Sequence, residues 1–223
     1  MTNIKHIDHN IDSDYGLITT DELKVNKKSK PRVWIEDNFY EDPDAVREYA
    51  LSQTFYDQGH GGVGWRTRKQ FIFDGVKEKF EQVMQRKISK WNETYDICGV
   101  FQSAFCTDDV PPLVYHADGQ QWAAMIYLTP NAPFETGTKI VANKESKKYH
   151  LEQCENESYS DIFPNQETFC DGTLFENVDV LGNVYNRLVI FDGRLIHSSC
   201  GYFGSNFTNG RLWQMFFFDT KEK

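Results

Sequence analysis

No apolar run in this chain is long enough to span a bilayer, and the opening residues, Met1-Thr2-Asn3-Ile4-Lys5-His6-Ile7-Asp8-His9, lack the apolar core of a secretory leader. A cytoplasmic protein with no membrane partner is the expectation. No CxxC pair occurs either. The five cysteines, Cys98, Cys106, Cys154, Cys170 and Cys200, are odd in number and scattered, which fits a reducing compartment better than a disulfide scaffold. Positive charge is scarce: 24 Lys plus Arg stand against 33 Asp plus Glu, a net charge of −9 that opposes nonspecific attraction to nucleic acid or an anionic membrane. A basic partner or a neutral small molecule suits that balance better. The glycine-rich stretch Gln58-Gly59-His60-Gly61-Gly62-Val63-Gly64-Trp65-Arg66-Thr67-Arg68 contains no GxGxxG, and no strand-turn-helix context follows it to cradle a phosphate. It reads either as a substrate-entrance loop with Trp65, Arg66 and Arg68 at its rim or as an ordinary surface turn. Internal repeats and low-complexity tracts are absent.

The 223 residues suffice for one β-rich domain with a sizeable core, and aromatic residues, at 15 %, suit strands and a ring-walled pocket. Residues 1–30 form a polar arm in which His6-Ile7-Asp8-His9 is a solvated stretch with no apolar neighbours to position it. Residues 31–223 form the domain. Val33-Trp34-Ile35 is a short strand candidate. Asp42 as N-cap and Pro43 at the first helical position open a helix running to Leu51, with Val46, Tyr49 and Ala50 on one face. Val76, Phe80, Val83, Met84, Ile88 and Trp91 recur at helical spacing and predict a second helix from Gly75 to about Asn92, bracing the outside of the fold. Strands follow at 97–106, 121–128 and 137–141, with Pro111-Pro112 as a break. The polar stretch 143–182 is long for a connection inside a compact domain, and reads as a lid-like insert.

Chemistry concentrates in two remote segments. In Val114-Tyr115-His116-Ala117-Asp118-Gly119, His116 and Asp118 are two apart, so an extended backbone sends both side chains to one face. In Asn186-Arg187-Leu188-Val189-Ile190-Phe191-Asp192-Gly193-Arg194-Leu195-Ile196-His197, an apolar strand and a turn at Asp192-Gly193 lead to a short strand bearing His197. Two histidines and one carboxylate make the facial triad of non-haem iron(II) sites, although a lone histidine is more often a structural residue. Arg211 then opens the apolar strand 211–218; it either receives an anion bidentately or simply flanks a core strand. Cys200 is near His197 but is read as packing, the triad being complete without it.

The order His116-x-Asp118, a strand ending in Tyr127, His197, then Arg211 resembles the iron(II)/2-oxoglutarate-dependent dioxygenase superfamily, most closely its prolyl-hydroxylase-like branch. Tyr185 to Gly193, His197-Ser198, Gly201-Tyr202-Phe203-Gly204 and Gly210-Arg211-Leu212 resemble bacterial and viral oxygenase-like proteins of unassigned substrate. The resemblance runs from about Pro31 onward. It implies a mainly β fold with flanking helices (α+β), a double-stranded β-helix or jelly roll, with the metal between its sheets. It further implies a hydroxylase in which His116, Asp118 and His197 are the catalytic metal ligands of Fe(II), Arg211 anchors the far carboxylate of the cosubstrate 2-oxoglutarate, and O2 is the oxidant with ascorbate as a reductant. Tyr127 is a cosubstrate contact by the same analogy, and an unremarkable core tyrosine otherwise. The Gly137-Thr138 opening of the next strand is also similar to the family. Where some relatives carry Arg-x-Ser or Arg-x-Thr, whose hydroxyl helps to hold that carboxylate, this chain has Trp213.

An aromatic wall of Trp122, Tyr202, Phe203, Trp213 and Phe216 is expected to exclude water. The substrate is a small molecule or peptide side chain. Three rivals stay open: a zinc hydrolase on the same triad, a noncatalytic jelly roll that binds a ligand or partner, and a cupin-type dioxygenase that would not need Arg211.

Overall fold

Alternation of side chains along extended segments gathers the chain beyond Pro31 into two antiparallel sheets. The computed structural model describes residues 32–58, 64–106, 113–154, 159–163 and 169–221. The chain divides into Met1–Pro31 and Arg32–Lys223. The expected polar arm, the glycines of 59–62 and Pro111-Pro112 lie outside the described residues.

The strands are β1 (Val33–Glu36), β2 (Phe55–Asp57), β3 (Trp65–Thr67), β4 (Ile88–Lys90), β5 (Val100–Ala104), β6 (Trp122–Tyr127), β7 (Thr138–Asn143), β8 (Phe175–Leu181), β9 (Leu188–Asp192), β10 (His197–Ser199) and β11 (Arg211–Thr220). The larger sheet runs β1-β9-β6-β11-β5-β3-β2, with β4 also paired to β11; the smaller runs β10-β7-β8. The segment bearing His116 joins the smaller sheet through a bridge to His197. From β5 onward the chain therefore winds between the sheets: β5, β6, β9 and β11 form one four-strand arc, and the His116 segment, β7, β8 and β10 form the other. That is the winding of a double-stranded β-helix.

Period-two alternation in the larger sheet builds two separate cores. Leu212, Phe216 and Phe218 of β11, Trp122, Ala124 and Ile126 of β6, and Leu188 and Ile190 of β9 face away from the smaller sheet and pack under two helices, α1 (Pro43–Leu51) and α2 (Val76–Met84). Phe80 of α2 is fully buried there, its ring 5.0 Å from that of Phe216 and 5.4 Å from that of Trp91. Burial of that ring contributes roughly 2–3 kcal/mol. The intervening residues, Trp213, Phe217, Ala123, Tyr127, Val189 and Phe191, form the inner core with Ile140, Leu181 and Leu195.

Asp42 caps α1 by accepting from the Ala45 amide at 2.9 Å, with Pro43 at the first helical position, as its sequence predicts. The second helix is shorter than its periodicity predicts. Gln85 turns left-handed (φ 55°) and stops α2 at Met84, and Ile88 is recruited into β4 beside β11. Ile88 and Trp91 still enter the same core, which is why their spacing read as helix.

The stretch 143–182 is likewise not all insertion. Its last part is β8, seven residues paired along β7, so only residues 144–174 separate the two strands. The described residues of that connection pack: Leu151, Cys154, Ile162 and Phe163 are buried with Tyr115, Val141 and Phe175, and the Asn143 side-chain amide donates to the Ile162 carbonyl at 3.0 Å. Among the described residues no helix is long and apolar enough to cross a membrane.

Candidate metal centre

His116 and His197 are locked together by their own backbones: the His116 amide donates to the His197 carbonyl (3.1 Å), and the His197 amide returns the bond (2.8 Å). Along the extended segment Tyr115 and Ala117 enter the packing beneath the smaller sheet, so His116 and Asp118 point the other way, into the fold. Asp118 is clamped from the Asp192-Gly193 turn, whose Gly193 carbonyl accepts from the Asp118 amide at 2.6 Å. A Cβ on Gly193 would lie 2.5 Å from the Gln120 carbonyl oxygen and 3.2 Å from Asp118 Cβ. Gly193→Ala is accordingly expected to displace Asp118 and, if the converging set holds iron(II), to weaken that binding by about 10- to 100-fold, the range seen when support around a metal ligand is lost. Metal titration of the purified variant reads this; unchanged affinity would show that the clamp does not set Asp118.

Asp192 is itself held in place. Its carboxylate accepts from Arg32 (2.9 Å), from His150 Nε2 (3.1 Å) and from the Arg194 amide (3.1 Å). Burial pushes this carboxyl up, but those hydrogen bonds and the charges of His150 and Arg32 outweigh it, and the net shift is downward.

The three side chains converge. His116 Nε2 lies 3.6 Å from one Asp118 oxygen and His197 Nε2 3.4 Å from the other, and the three ligand atoms all lie within 4.8 Å of one another. Nδ1 of each ring faces a carbonyl, of Val114 (3.3 Å) and of Leu195 (2.9 Å). A carbonyl only accepts, so each Nδ1 carries the proton and each Nε2 presents its lone pair. Burial first, then the neighbouring His197, pushes His116 down to about 4; burial pushes His197 down to about 4 as well. Burial drives Asp118 up to about 6, against the smaller pull of His116. Asp118 Oδ2 is buried with no hydrogen-bond partner among the described residues. Two neutral imidazoles with inward lone pairs and one carboxylate are a donor set of the kind that can hold a divalent cation.

The triad sits on the wall of a cavity of about 460 Å³. Along β11 the alternation brings Arg211, Trp213, Met215 and Phe217 to this cavity. The aromatic wall differs from the expected one. Tyr202 and Trp213 line the cavity, but Trp122 and Phe216 fall on the helix-covered face of their strands, Phe203 is not on the lining, and Phe191 and Phe217 stand there instead. Trp122 and Phe216 are each an odd number of residues from the inward positions Tyr127 and Trp213, and pleating alone sends them outward.

Arg211 is 2 % exposed. One terminal nitrogen donates to the Ser199 hydroxyl and the other to the Gly137 carbonyl at 3.1 Å; the guanidinium lies 4.6 Å from the Trp213 ring centroid and 5.7 Å from that of Tyr127. Its Nε has no partner, and no carboxylate pairs with it among the described residues. Tyr127 is fully buried behind this group, its hydroxyl 3.0 Å from Thr138 Oγ1, and Thr138 rather than Tyr127 reaches the cavity. Ser199 was not singled out from the sequence. It places a hydroxyl beside the Arg211 guanidinium, and its signal lies in the sequence: two residues beyond His197 on a strand, it shares that histidine's face. Cys200 is a free thiol outside the converging group.

A family described as a family of unknown function (DUF6445) matches residues 18–218. No curated protein matches the chain. Solved structures similar to it include a Pseudomonas putida prolyl-4-hydroxylase (13 % identity, TM-score 0.41, 85 % of this chain and 93 % of that one). Others are a prolyl hydroxylase from Trichoplax adhaerens in complex with a hypoxia inducible factor peptide fragment (12 %, 0.44, 84 % and 83 %) and HygX from Streptomyces hygroscopicus with nickel and 2-oxoglutarate bound (12 %, 0.44, 85 % and 83 %).

Proposed function

The chain belongs to that family of unknown function, and we propose that it is a non-haem iron(II), 2-oxoglutarate-dependent dioxygenase that hydroxylates a C–H bond of a small molecule or peptide side chain. One observation carries the reading: a converging His-Asp-His set and a buried arginine without a carboxylate partner among the described residues open on the same cavity. His116, Asp118 and His197 would hold the iron by one face and leave the rest open to the cavity. Iron, 2-oxoglutarate and O2 together supply the oxidising equivalent that inserts oxygen into a C–H bond, with succinate and carbon dioxide as coproducts. The Leu195 and Val114 carbonyls keep both imidazoles in the ligating tautomer. Arg211, with the Ser199 hydroxyl beside it, receives the distal carboxylate, and Tyr127 fixes the Thr138 hydroxyl behind it. Met125, Phe191 and Phe217 keep the space between these groups dry. A zinc hydrolase on the same ligands, or a cupin-type oxygenase without cosubstrate, leaves Arg211 without a task; a noncatalytic jelly roll leaves Asp118 buried and unpaired for no return.

The test is an anaerobic titration with iron(II) and then 2-oxoglutarate, followed by air. The expected results are a visible charge-transfer band that needs both additions and succinate release on oxygenation. Zinc-supported activity indifferent to 2-oxoglutarate, or no band from folded protein, would overturn the reading.

Metal uptake has its own pH signature. Because Asp118 titrates at about 6 in the metal-free chain while both histidines are neutral above about 4, an ion bound below pH 6 displaces the Asp118 proton. Affinity for manganese(II) is expected to fall about tenfold per unit below pH 6 and to level off above it. Calorimetry in two buffers of different ionisation enthalpy reads the released proton; a flat affinity between about pH 5 and 7 would remove Asp118 from the ligand set.

A further inference from the structure

The cavity holds a second arginine to which iron and 2-oxoglutarate give no role. Arg66, the middle residue of β3, pairs in register with Gln102 of β5, and Gln102 pairs with Trp213 of β11. Register partners in an antiparallel pair point to one face, so Arg66, Gln102 and Trp213 form a row, and all three line the cavity that contains the triad. The Gln102 side-chain oxygen accepts from Arg66 Nε at 3.1 Å and sets the plane of the guanidinium, leaving its terminal fork free to face a ligand. No carboxylate pairs with it among the described residues, and burial alone pushes its guanidinium down from the ordinary arginine range. β5 separates β3 from the strand that carries Arg211, so two strand spacings, roughly 10 Å, divide the two arginine-bearing strands. A dicarboxylate seated on the metal and Arg211 leaves Arg66 open.

We infer that Arg66 is the recognition point for an anionic group, carboxylate or phosphoryl, on the substrate oxidised at this site. The inference rests on the oxygenase reading and deepens it. It also departs from what composition alone favours: a net charge of −9 repels anions at long range, so a half-buried arginine fork is what would select one at short range.

Two measurements test it. In the first, iron-loaded protein with saturating 2-oxoglutarate is supplied with matched pairs of additives: free amino acids against their amides, and phosphoserine against serine. The acid or phosphorylated member is expected to accelerate succinate release, which pair responds identifying the group. Arg66→Gln is expected to need roughly tenfold more additive for the same acceleration, and Arg66→Lys, which keeps the charge, to retain part of it. Neutral members that accelerate equally, or an Arg66→Gln variant that responds like the parent chain, would overturn the inference. In the second, propionate, inorganic phosphate and neutral propionamide are titrated into the metal-free chain while arginine Nε resonances are followed by NMR, the Arg66 signal being assigned by its loss in Arg66→Lys. A shift with an anion and none with propionamide is expected. An Arg66 signal that neither anion moves sinks the inference even where iron and 2-oxoglutarate chemistry stands, whereas an anion response with no succinate release sinks the oxygenase reading alone.

Discussion

Arg211→Met is expected to raise the 2-oxoglutarate concentration for half-saturation by about 100-fold or more while leaving iron(II) affinity close to that of the parent chain. The guanidinium is 2 % exposed, and its hydrogen bonds go to a hydroxyl and a carbonyl, both neutral acceptors. A buried cation so placed is completed only by an incoming anion, and truncating one member of a desolvated charge pair typically costs about 2–5 kcal/mol. Most of that loss would fall on binding, since a distal carboxylate seated on Arg211 as proposed would be remote from the reacting bond and held alike before and during reaction. Stability should move the other way or not at all. Without 2-oxoglutarate the parent chain carries the cost of an unpaired buried charge, and the methionine variant does not. Melting curves with and without 2-oxoglutarate, in the presence of manganese(II), separate the two effects: the cosubstrate should raise the parent's midpoint and leave the variant's unmoved. Equal 2-oxoglutarate stabilisation of both chains would detach Arg211 from the cosubstrate.

Asp118→Asn is expected to reduce iron(II) affinity by more than about 100-fold and to abolish succinate release, because the amide would replace the one carboxylate of the converging set proposed to hold the iron. The same change should stabilise the metal-free chain near neutral pH. Burial raises the folded-state pKa of Asp118 to about 6, above its ordinary value of 3.8. A carboxyl raised in this direction favours the folded state at low pH, and that contribution is lost as pH climbs through 6. At pH 7 the ionised, unpartnered group therefore costs on the order of 2 kcal/mol, which its neutral isostere avoids. With a chelator present, the variant is expected to melt about 4–8 °C above the parent at pH 7 and level with it near pH 4. Excess manganese(II) should invert the order at pH 7. A variant less stable than the parent at both pH values in chelator would mean that the carboxylate already has the partner it needs within the fold.

Much of this architecture was legible from local pattern. The Asp42-Pro43 start of α1 follows from capping chemistry, the strand ending at Asp192 from its apolar run, and the shared face of His116 and Asp118 from period-two alternation, whereas only the family resemblance implied that His197 and Arg211 would join them at one cavity. What escaped depends on which sheet or face a strand joins. Ile88 and Trp91 kept helical spacing because strand and helix bury the same core, and a left-handed Gln85 is invisible to hydrophobic periodicity. Trp122 and Phe216 were placed by ring chemistry rather than by parity, and parity decided. β8 was hidden because its five middle residues, Val178 and Val180 among them, are exposed, leaving buried only Phe175 and Leu181 at its two ends. Ser199 required knowing that Arg211, twelve positions later in sequence, would return beside it.

The reciprocal backbone bonds between His116 and His197 join residues 81 positions apart in the chain. The three converging side chains therefore meet only once the segment carrying His116 has paired with β10 inside the smaller sheet, a long loop closure that local structure alone does not make. An ion held as proposed would therefore be captured only after this closure, and not by a chain that ends before β10.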